Sequence, residues 1–184
     1  SKVESVNWLL NVRGDALAHT PFFHAMLLVH SSRDIVVISE DKPEIDFQIE
    51  GLKIEHKCFN EMSEIAKKLV DRKIQIDKSA CPKALLDYFL EQNSAIEFKP
   101  DSTVLVKAQK NEAELKGMKD AQIKDAIAFC QFWHWFEKTM NNQSITECEV
   151  ANYLSEFRAQ QPEYICDSFP AIVGFNDNGA IVHY

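Results

Sequence analysis

Over the first hundred residues, apolar and polar positions alternate between a strand period and a helix period. Asn7–Arg13 reads as a strand, followed by a loop from Gly14 and Asp15 to Pro21. Phe22–His30 and Ile35–Ser39 are apolar on both faces, as expected of inner strands covered from both sides. Lys53–Lys57 alternates like a half-buried strand. Glu61–Asp71 then places Met62, Ile65, Ala66 and Leu69 at helical spacing. Lys73–Ile76 is a short strand, Pro82 suits the first turn of a helix through Leu86, Phe89 and Leu90, and Ala95–Lys99 returns to strand. The sum is an α/β layer architecture.

Pro100-Asp101-Ser102 interrupts this pattern, and a domain boundary is expected near Val104–Lys107. Asn111 with Glu114 forms a capping box that opens a long helix. Its apolar stripe runs through Leu115, Met118, Gln122, Ala126, Phe129, Trp133, Phe136 and Met140, the polar Gln122 aside, so the helix is expected to lie on a core along most of its length. Trp135 lies off that stripe and needs a neighbouring surface to cover it. Thr146 with Glu149 repeats the capping box, and Pro162 bars continuation of the second helix. Val150, Tyr153, Leu154 and Phe157 line one face of it. Phe169–Phe175 and Ala180–Tyr184 read as strands joined at Asn176-Asp177-Asn178-Gly179, where Asn-Gly favours positive φ.

Composition narrows the possible functions. A chain of 184 residues with 46% hydrophobic positions can build a real core, and no apolar run approaches the ~20 residues of a membrane span. The net charge of -8, with Lys and Arg scattered, argues against nucleic acid as a partner. Five cysteines lie far apart with no C-x-x-C pair, which fits buried reduced thiols in a reducing cytosol better than zinc or redox chemistry.

Spacing alone supplies no catalytic constellation. His19, His24 and His30 invite a metal reading, but six residues of strand separate the last two by roughly 20 Å. The aromatic run Phe129, Phe132, Trp133, Trp135 and Phe136 fits core or interface better than a ligand box. No general acid–base pair and no nucleophile elbow is visible.

Two stretches go further. Trp8-Leu9-Leu10-Asn11-Val12-Arg13-Gly14-Asp15, continuing through His19-Thr20-Pro21-Phe22-Phe23, resembles the start of the middle domain of three-domain aminopeptidase P enzymes. Ser168-Phe169-Pro170-Ala171-Ile172 with Asn178-Gly179-Ala180-Ile181-Val182-His183-Tyr184 resembles an early strand of their pita-bread catalytic domain. Between them, Lys107–Asn111, Glu114, Gly117-Met118, Ala121–Asp125 and Glu156-Phe157-Arg158 look like the interdomain helix and its continuation.

The resemblance implies a creatinase-N-terminal-like mixed-sheet α/β domain over residues 1–106. It is followed over 107–184 by a truncated α+β pita-bread segment of two helices and strands. It implies a cytosolic Xaa-Pro aminopeptidase that removes the residue preceding proline, using two divalent metal ions, commonly manganese. The family's metal ligands, two Asp, one His and two Glu, are expected beyond Tyr184. The catalytic set is therefore incomplete here, no metal residue is assigned, and the segment alone is expected to be inactive. His183 is the one position that transfers, matching a substrate-contacting histidine. Arg13 and Trp8 match the family as packing or channel-shaping residues. A prolidase fragment and a non-catalytic interaction module derived from the family are the alternatives. Homo-oligomerisation is expected through the region after Asn111, whose apolar stripe would otherwise lack cover.

Overall fold

The computed structural model describes residues 2–40, 51–92 and 94–183. These form two compact units, residues 1–109 and 110–184.

The first unit opens with a helix, α1 (Val3–Leu10), where a strand over Asn7–Arg13 was expected. Val3, Val6 and Leu10 recur at helical spacing, and Val6 and Leu10 are buried in a core with Val12, Ala25, Ile35 and Val37. Asn11 ends the helix in the left-handed region, at φ 51°. The Val12 N–H then bonds to the Asn7 carbonyl and the Asn11 N–H to that of Trp8, the paired closure of a Schellman motif.

Strand β1 (Ala25–Val29) pairs antiparallel with β2 (Ile35–Ser39), which pairs parallel with β3 (Ile54–Cys58). This is the expected mixed sheet, with β2 central. Val37 and Ile38, on opposite faces of β2, are both buried, so both sides of the sheet are covered.

A 3₁₀ turn at Phe59–Glu61 leads into α2 (Met62–Lys67), which stops earlier than the expected Asp71. The chain tightens there into three-residue turns, with the Leu69 N–H on Ala66 and the Arg72 N–H on Leu69. Strands β4 (Lys73–Ile76) and β5 (Ala95–Phe98) pair parallel, and α3 (Lys83–Glu91) is the crossover between them. Pro82 caps α3 from outside, its carbonyl accepting the Leu85 and Leu86 N–H groups. Ala66, Ile74, Ile76, Leu86 and Phe89 form a second core cluster. Between that cluster and Met26, Leu28 and Ile38 of the first sheet lies an apolar cavity of about 130 Å³. Asp77 accepts the Asp101 N–H at 2.9 Å, tying the ends of β4 and β5 together ahead of α4 (Thr103–Ala108).

The second unit is a helical hairpin. Helix α5 (Glu112–Met140) and helix α6 (Glu147–Ala159) both open with the capping boxes read from the sequence. Their contacts run antiparallel. Trp135 meets Tyr153 at 4.0 Å between ring centroids, and Arg158 Nε meets Asp125 at 2.7 Å.

The buried seam of α5 is Ala128 and Phe132, not the stripe expected from periodicity. Leu115, Met118, Phe129, Trp133 and Met140 of that stripe are 44–56% exposed. Helix α6, at 13 residues, covers one face over part of the length of the 29-residue α5. Trp135, off the expected stripe, is covered by Tyr153 and Phe157.

The strands expected over Phe169–Phe175 and Ala180–Tyr184 do not form among the described residues, and Tyr184 lies outside them. The first runs without regular structure, and Asn176–Ala180 makes a 3₁₀ turn. A strand needs a ladder partner for its backbone, and a lone hairpin is marginal in water. Asn176, at φ 50°, takes the left-handed conformation that Asn178-Gly179 was expected to supply.

The cysteines are also more open than expected. All five are free, but Cys58 and Cys81 are half-buried and Cys130, Cys148 and Cys166 are exposed. A two-helix hairpin has too little interior to enclose the last three. No helix among the described residues is long and apolar enough to cross a membrane.

Candidate functional site

The N-terminal motif folds into a loop locked onto α1. Asn7 is buried to 1% exposure on that helix. Its Nδ2 donates to the Val3 and Phe23 carbonyls, each at 2.8 Å, and its Oδ1 accepts the Phe23 N–H at 2.8 Å. The side chain thus satisfies both backbone groups of Phe23, as a neighbouring strand would.

Gly14 is fixed by close approach. A Cβ there would lie 2.8 Å from the Phe23 Cα and 3.0 Å from the Phe22 carbonyl oxygen. Its N–H donates to the Pro21 carbonyl at 3.1 Å, while Leu17 bridges Thr20 and His19 sits at φ 61°. Arg13 is exposed, with Nη1 on the Val12 carbonyl at 2.7 Å, and Trp8 is half-buried. The residues carrying the resemblance in this stretch therefore build a scaffold.

The histidines do not converge. The ring of His24 lies 5.9 Å from that of Phe59, and among the described residues no group of three or more His, Cys, Asp or Glu could hold a metal ion. The described residues do not by themselves fit a metal centre.

The second motif runs over the hairpin. Ser168–Val173 with Phe132, Trp133, Phe136, Val150, Leu154 and Arg158 lines an open apolar groove of about 570 Å³. Asp167 anchors the start of this segment. It accepts from Ser155 Oγ and lies 3.8 Å from Arg158 Nη1. Burial, followed by the nearby Asp167 carboxylate, pushes the Tyr164 phenol above its ordinary value. Lys124, midway along α5, pairs with Glu163 just past the end of α6.

Past the groove, Gly174 and Gly179 pack against one another, and Glu147 accepts the Phe175 N–H at 2.6 Å and Asn178 Nδ2 at 3.0 Å. Three residues beyond this turn stands His183, exposed, next to Val182 at 91% exposure.

Asn7, Asp167 and Glu147 were not singled out from the sequence. Asn7 and Glu147 take partners 16 and 28 residues away, a pairing that periodicity does not encode. Their visible signals were faint: a polar residue on the apolar face of α1, and an acidic residue at a helix start not needed for its capping box.

A mixed-sheet α/β unit followed by a unit that opens with a helical hairpin defines the class. Residues 1–114 match the creatinase/prolidase N-terminal domain, and residues 116–184 match metallopeptidase family M24. The chain belongs to the creatinase/prolidase N-terminal domain family, as the motif residues implied.

Among curated relatives, it is 29% identical to Aminopeptidase P2 of Arabidopsis thaliana and 32% identical to Xaa-Pro aminopeptidase 1 of Dictyostelium discoideum. All of this chain aligns in both cases, and it spans 30% of each relative's length. In fold it is similar to a solved X-prolyl aminopeptidase of Caenorhabditis elegans, described as a cytosolic enzyme with a di-nuclear active site. The TM-score is 0.72 at 22% identity, over 96% of this chain and 32% of that one. An Xaa-Pro dipeptidase of Bacillus anthracis gives 0.56, over 87% and 43%.

Proposed function

We propose that this chain is the middle domain and the opening of the catalytic domain of an Xaa-Pro aminopeptidase, an enzyme that removes the N-terminal residue preceding a proline. The observation that carries the reading is order. A creatinase-like unit is followed directly by an M24-like unit, and the relatives named Xaa-Pro aminopeptidase align over the whole of this chain. The boundary between the two domains is proposed near residue 106, within α4 and ahead of α5. Prolidase is the less favoured neighbour, because the fold likeness to the dipeptidase is weaker.

The intact enzyme is proposed to be cytosolic and to carry two divalent metal ions, with manganese the leading identity. When bound, such ions activate a hydroxide and polarise the scissile carbonyl. This chain's contribution is His183, proposed to contact substrate. The exposed α5 stripe supports homo-oligomer formation through the second unit.

The test uses protein extended to the length of the relatives. With added Mn²⁺ it should release the first residue of an Xaa-Pro-Xaa tripeptide and lose that activity to a chelator. Cleavage of Xaa-Pro dipeptides alone would assign the prolidase activity instead. His183→Ala should lower kcat/KM about 10²-fold, the scale of a lost transition-state donor, with metal content unchanged. An unaltered rate removes His183 from the site.

A further inference from the structure

Glu147 occupies the first helical position of α6, yet capping there is done by its neighbours. The Thr146 and Glu149 side chains and backbone N–H groups exchange the capping-box bonds. The Glu147 carboxylate is left to reach outward. Oε1 accepts the Phe175 N–H at 2.6 Å, and Asn178 Nδ2 donates to Oε1 and Oε2 at 3.1 and 3.0 Å. One carboxylate thus holds the residue before the Asn176–Ala180 turn and a residue inside it.

The turn is closed on itself as well. The Asn178 N–H bonds to the Phe175 carbonyl and the Ile181 N–H to that of Asn178, each at 3.2 Å. At its neck, a Cβ on Gly174 would stand 3.0 Å from the Gly179 Cα, so the two strands of chain meet backbone to backbone. His183 follows Ile181 by two residues, a reach of roughly 7 Å in extended chain. A turn tied to α6 therefore limits where the imidazole can go.

We propose that Glu147 is a positioning residue for His183, acting through the Phe175–Ala180 turn. The inference rests on the reading of His183 as a substrate contact. A carboxylate accepting N–H bonds makes a stronger tether than a neutral amide. Small misplacement of a substrate-contacting group is costly to catalysis even when the fold survives.

The test compares Glu147→Ala, Glu147→Gln, Asn178→Ala and His183→Ala in the full-length metallopeptidase. Metal content, kcat, KM and amide exchange at Phe175 are measured for each. Glu147→Ala should speed exchange at Phe175 and lower kcat about ten-fold with metal content intact, as expected of a displaced group. Glu147→Gln keeps a carbonyl acceptor for the Phe175 N–H and should recover most of both. Asn178→Ala, which leaves the start of α6 untouched, should give a smaller loss in the same direction.

Unchanged exchange at Phe175 in Glu147→Ala overturns the clamp. Faster exchange with unchanged kcat, while His183→Ala is impaired, overturns the positioning role and leaves the His183 assignment standing. A fully active His183→Ala overturns both the assignment and the positioning, while the exchange data still report whether the clamp exists.

Discussion

Replacing Asn7 by Ala tests whether the N-terminal motif is a scaffold. The change removes three hydrogen bonds at 2.8 Å, two of which satisfy the backbone of Phe23. At about 1 kcal/mol net for each, the loss is about 3 kcal/mol, and more where Phe23 cannot recruit water. In a unit of this size that corresponds to a fall in Tm of roughly 12–24 °C.

Asn7→Asp sharpens the test. It keeps the acceptor for the Phe23 N–H but turns a carboxylate toward the Val3 and Phe23 carbonyl oxygens. At pH 7 it should destabilise at least as much as Ala. Burial against two carbonyls raises the folded-state pKa of the new carboxyl. The mutant should therefore lose stability, relative to the parent, as pH rises above about 4. Urea unfolding followed by circular dichroism gives the magnitude, and native-state exchange over residues 2–40 localises it. A loss under about 1 kcal/mol for Asn7→Ala, or an Asp variant more stable than Ala at pH 7, refutes the reasoning.

Gly14→Ala should destabilise the same unit by about 1–3 kcal/mol, because its methyl would enter the Phe23 backbone, and a neutral result in urea would show that the loop relaxes. Glu149 is held below the ordinary carboxylate range by the Thr146 backbone N–H and hydroxyl. Its contribution to α6 is therefore present above the unfolded-state pKa and lost as pH falls through the depressed folded value. Glu149→Gln should flatten that acid-side loss of helicity in circular dichroism, and an unchanged acid limb would contradict it. The 184-residue chain itself should show no chelator-sensitive cleavage of Xaa-Pro-Xaa peptides with added Mn²⁺, and turnover by pure protein would refute this. In light scattering during size exclusion it should run heavier than its 21.1 kDa monomer mass, and a clean monomer would remove the oligomer reading.

Local signals in the sequence were the trustworthy ones. The capping boxes Asn111/Glu114 and Thr146/Glu149 stand where they were read, since both partners sit within one turn. Strand β4 fits its segment to the residue, and β2 is buried on both faces as its apolar run implied. Helix α1 was misread because Leu9, Leu10 and Val12 form a run that suits a strand. Two of its four buried residues, Ser5 and Asn7, are polar and give no apolar signal at all. The burial of Asn7 is matched by bonds to Val3 within the helix and to Phe23, sixteen residues away. His183 came from resemblance to a family motif, and nothing in spacing or charge marks it.

The long helix shows why periodicity locates an apolar face but not its partner. Residues Leu115, Met118, Gln122, Ala126, Phe129 and Trp133 follow at three- and four-residue steps, so a helix with one continuous stripe, Gln122 aside, was the natural reading. Phe132, Trp135 and Ala128 form a second set, turned away from the first around the helix axis. Helix α6 selected that second set because Tyr153 and Phe157 meet Trp135 and Phe132 there, with Arg158 reaching Asp125 alongside. Ring contacts of this kind add about 0.5–1.5 kcal/mol each beyond area burial. Several of them on one side outweigh a more regular stripe on the other. A helix carrying two apolar faces is suited to packing on two sides, and its own hairpin partner occupies one of them.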